Sequence, residues 1–261
     1  MSSPSAEFRP CIDLHDGKVK QIVGSTLQNG GSGPATNFVA EKPPRFYAEL
    51  YRKLDLPGGH VIQLGPGNEA AAMEALGAWP GGFQLGGGVC PENAGMWLDA
   101  GASHVIVTSY IFSGGELHWE RLRTLLKTVG KEHLVLDLSC RKRDGRYFIV
   151  TDRWQKFTRL AVDPETLKLL ADSAAEFLIH AVDVEGKCQG IDRELLTLLA
   201  EHSPIDCVYA GGISSLEEVH LIRECGRGRV HFTIGSALDI FGGGLPLQDV
   251  VAETLSVLRK E

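Results

Sequence analysis

Three short motifs recur in this chain, in the same order and at nearly one spacing, and that repeat restricts the fold more than any other feature. Residues 11–17 read CIDLHDG and residues 136–145 read LDLSCRKRDG. Both end an apolar run in Asp-Leu and continue to Asp-Gly and a basic residue, Lys18 or Arg146. QLGGG at 84–88 answers to VYAGG at 208–212, and the VTS that ends at 109 answers to the IGS that ends at 236. The offsets are 124 from Asp13 to Asp137, 124 from Gly87 to Gly211 and 127 from Ser109 to Ser236. One match is within reach of chance; three in one order indicate an internal duplication.

Around these motifs, short apolar runs alternate with longer amphipathic ones. The runs 8–14, 60–65, 82–86, 103–109, 133–139, 176–181, 205–210 and 230–235 predict strands. Helices are predicted near 44–54, 68–77, 91–100, 117–129, 163–173, 191–201, 215–225 and 246–259. Alternation of this kind builds βαβ units and a parallel sheet. The strands are apolar on both faces, as they must be where helices cover the outside and layers of side chains fill the inside. An open doubly wound sheet shares the alternation, but eight strands split four and four by the repeat favour a (β/α)8 TIM barrel. It would consist of two repeated (βα)4 half-barrels, about 8–130 and 131–259, within one domain spanning 1–261. The 261 residues and 43% hydrophobic content suit such a barrel, which routinely reaches about 250 residues as one domain. Two connections are long, 24–42 after the first strand and 140–162 after the fifth, and long loops are often lids or binding loops. Within them KVKQIVG and RYFIVTD each read as an extra strand. As equivalents in the repeat, the two loops are expected to face each other across one mouth.

The remaining bulk properties exclude more than they assign. A net charge of −7 without a basic block argues against nucleic acid. The six cysteines (11, 90, 140, 188, 207 and 225) are scattered, with neither the spacing of a disulfide framework nor that of a zinc site, which suits a reducing compartment. No metal site is expected. No apolar stretch is long enough to span a bilayer, and residues 1–7 resemble neither a signal nor a transit peptide.

In a barrel the chemistry lies at the C-terminal ends of the strands. Gly87 and Gly88 follow strand 3, Thr108 and Ser109 end strand 4, Gly211 and Gly212 follow strand 7, and Gly235 and Ser236 end strand 8. Glycines let backbone N–H groups approach a phosphate closely, and hydroxyls and a following helix N-terminus add to the attraction. Any one pair is equally explained by a tight βα turn; two pairs related by the repeat point to a small-molecule substrate with a phosphate at each end. Asp13 and Asp137 end strands 1 and 5, on opposite sides of an eight-stranded wall. A substrate stretched between the cradles would pass between them, an arrangement suited to general acid and general base work, with environments that push the two pKa values apart. Further candidates for substrate contact are Lys20, Gln63, Arg141, Trp154, His180 and Asp183; Asp16 and Asp144 most simply make hairpin turns.

These segments resemble a known family. CIDLHDGKVKQIVG, QLGGGV, GASHVIVTS, LVLDLSCRKRDGR, DRWQKF, FLIHAVDVEG, YAGGI and GSALDIFGG are similar to the histidine-biosynthetic isomerases of eukaryotes, over Phe8 to about Val251 and closest to plant and green-algal members. The resemblance implies a TIM barrel, no cofactor, and an internal Amadori rearrangement of a bisphosphate aminoaldose to its aminoketose. An acid would protonate the ribose ring oxygen and open the ring, and a base would take the proton from C2′. It assigns Asp13 as base and Asp137 as acid. It also implies a monomer, and a chloroplast stroma if the source is a plant or alga, otherwise cytoplasm. Bacterial members have an acidic residue where Gln63 stands, and a threonine near the end of strand 6 that supports the acid. Here that stretch is His180-Ala181-Val182-Asp183, so His180 or Asp183 must supply the support differently. The sister cyclase of imidazole glycerol phosphate synthase shares both aspartates and both cradles but needs a glutaminase partner; CIDLHDGKVKQI and DLSCRK look more like the isomerase. A phosphoribosylanthranilate isomerase needs one phosphate cradle and usually a cysteine base, a part open to Cys11, but the repeat argues against it. A non-catalytic sugar-phosphate sensor would have lost one of the paired aspartates.

Overall fold

A computed structural model describes residues 6–22, 36–188 and 190–255. Eight parallel strands form the wall of a (β/α)8 barrel: β1 Cys11–His15, β2 Gly59–Gln63, β3 Phe83–Gly86, β4 Val105–Val107, β5 Leu134–Asp137, β6 Glu176–His180, β7 Cys207–Ala210 and β8 Val230–Thr233. They pair in chain order from β1 to β8. The wall closes through the residues just ahead of β1. Phe8 bridges Phe232, the Arg9 N–H donates to the Phe232 carbonyl at 2.8 Å, and the Phe232 N–H donates to the Glu7 carbonyl at 3.0 Å.

Helices α1 Pro44–Lys53, α2 Glu69–Ala78, α3 Pro91–Asp99, α4 Trp119–Val129, α5 Pro164–Ala171, α6 Arg193–His202, α7 Leu216–Cys225 and α8 Leu247–Leu255 follow the strands in turn. Their starts are written in the sequence. Pro44, Pro91 and Pro164 occupy first-turn positions, where the missing N–H would have had no intrahelical partner. Asp163, Asp192 and Ser215 accept the N–H of Thr166, Leu195 and Glu218 as N-caps.

The pleat sorts each strand between two cores. Outward-facing residues such as Leu85, Leu136, Phe177 and Tyr209 pack with the helices in one large cluster. Ile106, Val135, Leu178, Val208 and Ala210, with Ile62 against them, fill the barrel interior. Because side chains alternate along a strand, Asp137 lies two positions beyond Val135 and His180 two beyond Leu178, on the same inward face. At the opposite end Glu176 meets Arg9 and accepts from Gln84 Nε2 at 2.8 Å, which seals the interior with a paired charge.

The long connections hold more regular structure than one extra strand each. After β1, Lys18–Ile22 folds back antiparallel and pairs with Thr36–Val39; the notebook-length loop 24–42 otherwise falls largely on 23–35, outside the described residues. After β5, Cys140–Arg143, Arg146–Thr151 and Lys156–Ala161 form a three-stranded antiparallel sheet. Asp16-Gly17 and Asp144-Gly145 turn both hairpins, with φ of 52° and 72°, and 51° and 76°, the left-handed pair that a two-residue turn requires. A small hairpin, Phe112–Ser113 with Glu116–Leu117, also follows β4. Strand β4 is shorter than expected, so Thr108 and Ser109 belong to the loop above it. Among the described residues no helix is long and apolar enough to cross a membrane.

Candidate active site

A cavity opens at the C-terminal ends of β1, β6, β7 and β8, lined by Asp13, His180, Glu185, Gly211, Gly212, Gly235 and Ser236 among others. Asp13 is half-buried and accepts a hydrogen bond from Gln21 Nε2 at 3.2 Å. Burial and the nearby Glu185 carboxylate push Asp13 up to about 7, against the opposing pull of His180 and the Gln21 hydrogen bond. Cys11, two residues earlier, lines the same cavity, but burial and Asp13 hold its thiol far above its ordinary value. A thiol so strongly protonated is a poor base.

Asp137 has the opposite environment. Its Oδ1 accepts the Ser139 N–H at 2.9 Å and the Ser139 hydroxyl at 2.7 Å, and lies 3.3 Å from His180 Nδ1. Its Oδ2 accepts from the Thr108 hydroxyl at 3.2 Å. Burial alone would raise the carboxyl; the charge and hydrogen bond of His180, with the two bonds from Ser139, outweigh it and hold Asp137 below the ordinary carboxylate range. For His180 burial disfavours the charged ring, yet Asp137, then Glu185 and Asp13, carry it up to about 9. The two aspartates are therefore split, as a working acid and base must be. Asp137, however, is the ionised member.

The strand-7 and strand-8 cradle lies beside Asp13. Ser236 Oγ accepts from Asn37 Nδ2 at 3.1 Å, so the loop after β1 reaches over it. Gly212 has φ of 75°, and a Cβ placed there would lie 2.0 Å from the Gly190 carbonyl oxygen. Gly87, its counterpart near β3, has φ of 93° and would put a Cβ 2.1 Å from the Gln63 carbonyl oxygen. Both turns thus require glycine for the conformation and for the close backbone approach. Gly212→Ala is expected to cost on the order of 3 kcal/mol from left-handed strain and the clash. That would lower Tm by roughly 6–12 °C for a chain this size. A thermal melt displaced by less than about 2 °C would show that the loops yield without cost.

Of the other candidates, Trp154 sets its ring 5.7 Å from the His180 ring. Gln63 Nε2 donates to the Gly87 carbonyl at 3.3 Å, and so shapes the second cradle. Gly87, Gly88, Thr108 and Ser109 stand above β3 and β4 and do not line the cavity. Lys20, Arg141 and Asp183 do not line it either. Lys20 pairs with Asp16 at 2.7 Å, and Arg141 pairs with Asp183 at 2.9 Å. Asp183 also takes the Lys142 N–H, and so ties the sheet after β5 to the loop after β6. Support for Asp137 comes from His180 and Ser139.

Three cavity residues were not foreseen: Gln21, His60 and Glu185. His60 is buried on β2 and held neutral, its pKa pulled down to about 3 by burial and by His180. Glu185 has a buried Oε2 without a hydrogen-bond partner, and burial raises its carboxyl. Among the described residues no group of three His, Cys, Asp or Glu is placed to hold a metal ion.

The chain is similar to known proteins over nearly its whole length. The family model described as "Histidine biosynthesis protein" matches residues 7–243. A chloroplastic protein of Medicago truncatula is 56% identical over 254 residues, which cover 95% of this chain and 81% of that one. It is named a 1-(5-phosphoribosyl)-5-((5-phosphoribosylamino)methylideneamino) imidazole-4-carboxamide isomerase. Proteins of the same isomerase name from Neurospora crassa and Saccharomyces cerevisiae are 50% and 46% identical, covering 94% and 92% of this chain and 96% and 94% of their own.

Proposed function

The chain belongs to the histidine biosynthesis protein family, and from that membership we propose that it is the imidazole-carboxamide isomerase its relatives are named for, working through Asp13 on β1 and Asp137 on β5. Its reaction is an aldose–ketose isomerisation within one bisphosphate molecule. The observation that carries the assignment of residues is the opposite tuning of the two aspartates at one barrel mouth.

The chemistry is a relay of protons. Protonating the ribose ring oxygen breaks its bond to C1′ and leaves a protonated imine. A carboxylate then takes the proton from C2′ and the electrons of that bond form the enolamine. Returning a proton to C1′ and releasing one from the C2′ hydroxyl gives the ketone, so no proton is gained or lost overall. Asp13, poised near pH 7, is matched to take and return the proton at carbon. Asp137 and the groups bonded to it serve the ring oxygen. Gly211, Gly212, Gly235 and Ser236 would hold one phosphate, and Gly87, Gly88, Thr108 and Ser109 the other. Holding both ends fixes the reacting carbons between the aspartates. The chloroplastic name of one relative supports a plastid as the place of work.

The test is turnover by the purified chain on the formimino aminoaldose, followed by absorbance, without cofactor or ammonia. Conversion to the ketose is expected. Failure, with cyclised product appearing once ketose and ammonia are supplied, would assign the chain to the sister reaction instead.

A further inference from the structure

Asp137 is poorly placed to hold a proton of its own. Donors already approach both of its oxygens, from Thr108, the Ser139 N–H, the Ser139 hydroxyl and His180, and a protonated carboxyl would have to break one of these bonds. Its side chain is 11% exposed, and it does not line the cavity. His180 does line the cavity, together with Asp13. Its ring stands on the Asp137 carboxylate through Nδ1 and against Trp154 on a face. With Nδ1 engaged, Nε2 is the nitrogen left to serve the cavity.

Resting on the isomerase reading above, we propose that His180 holds the proton that opens the substrate's ring, and that Asp137 acts through it as a positioning residue. The charges around the ring favour this from several sides. Asp13 on β1, Asp137 on β5 and Glu185 after β6 all stabilise an imidazolium; His60 on β2 opposes it but is kept neutral. In the forward step the His180 Nε2–H proton moves to the ring oxygen as its bond to C1′ breaks, leaving a neutral imidazole. When the enolamine collapses to the ketone, the proton from the C2′ hydroxyl returns to Nε2. Asp13 takes the C2′ proton and delivers one to C1′, so both groups end as they began. The bacterial pattern, with threonine at this place, has no ionisable proton to lend there. Proton donation by His180 would therefore be a feature of chains that carry histidine at this position.

The sign of the pH dependence follows. A ring with its pKa near 9 is charged below that pH, so donation is lost as pH rises through about 9. The experiment is the pH profile of kcat and kcat/KM for the full chain and for His180→Asn, which keeps a side-chain N–H for Asp137 but has no titrating proton. We expect kcat to fall at least about a hundredfold with KM changing less, and the alkaline limb near pH 9 to vanish. Activity within about tenfold of the original, with the limb unmoved, would overturn the role of His180 while leaving the isomerase standing. No turnover by the unsubstituted chain would overturn the isomerase reading and this one with it. Should His180→Asn not fold, the imidazole nitrogen resonances of the unsubstituted protein still decide. Titration near 9 is expected, whereas titration near the ordinary value of about 6.5 would sink the proposal.

Discussion

Asp13→Asn is expected to lower kcat at least about a hundredfold with a smaller change in KM, the loss that accompanies removal of a general base. The same substitution should stabilise the fold at alkaline pH. Burial and Glu185 raise the Asp13 carboxyl to about 7, well above its value in an unfolded chain. The folded protein therefore binds that proton more tightly than the unfolded one between about pH 4 and 7, and stability falls as pH rises through this window. Asparagine carries no charge to desolvate, so the Tm advantage of the variant should be absent near pH 4 and fully developed by about pH 8. A stability gained where function is lost is the usual sign of a strained catalytic group. Unchanged melting across that range, or a loss in kcat below about tenfold, would remove Asp13 from the mechanism.

Asp137→Asn should cost kcat a similar factor of at least about a hundred, for a different reason. The His180 ring owes its elevated pKa chiefly to the Asp137 charge and hydrogen bond. Without that charge, burial drives the ring toward its neutral form and the proton is missing at working pH. Its alkaline limb should therefore shift to lower pH rather than simply shrink. The pair also contributes stability that is present below the unfolded imidazole value and lost as pH rises through about 9. The variant should melt lower than the parent near pH 7 and differ less above pH 9. An alkaline limb that stays where it was would show that Asp137 does not govern the ring.

Alternation of apolar runs made the barrel legible, because helices and parallel strands alternate only in a few folds and eight pairs fit one of them. The aspartates and cradle glycines were legible because each occurs twice at one offset. Glu185 was not. An acidic side chain in a polar loop reads as solvated, and only tertiary packing buries its carboxylate beside Asp13. Gln21 looked like one residue of a short strand, and the fold-back of that strand is what brings it to Asp13. Lys20, Arg141 and Asp183 were overvalued for the converse reason: charges near a mouth can satisfy one another, and pattern alone does not say which pairs form. The sheet after β5 exceeded expectation because CRKR looks solvated, yet the strand it forms pairs along its whole length with Arg146–Tyr147–Phe148–Ile149.

The seam between β8 and the residues ahead of β1 has a consequence for synthesis. Phe8 waits for Phe232, so the first strand to leave the ribosome is joined on that flank by the last strand of the wall. Asp13 stands beside this junction, and the cradle residues Gly235 and Ser236 follow it immediately. A chain cut short before β8 would thus carry both aspartates and still lack a finished site, and its unpaired strand edge would invite association with other chains. Nascent protein gains its chemistry only once nearly all of it exists.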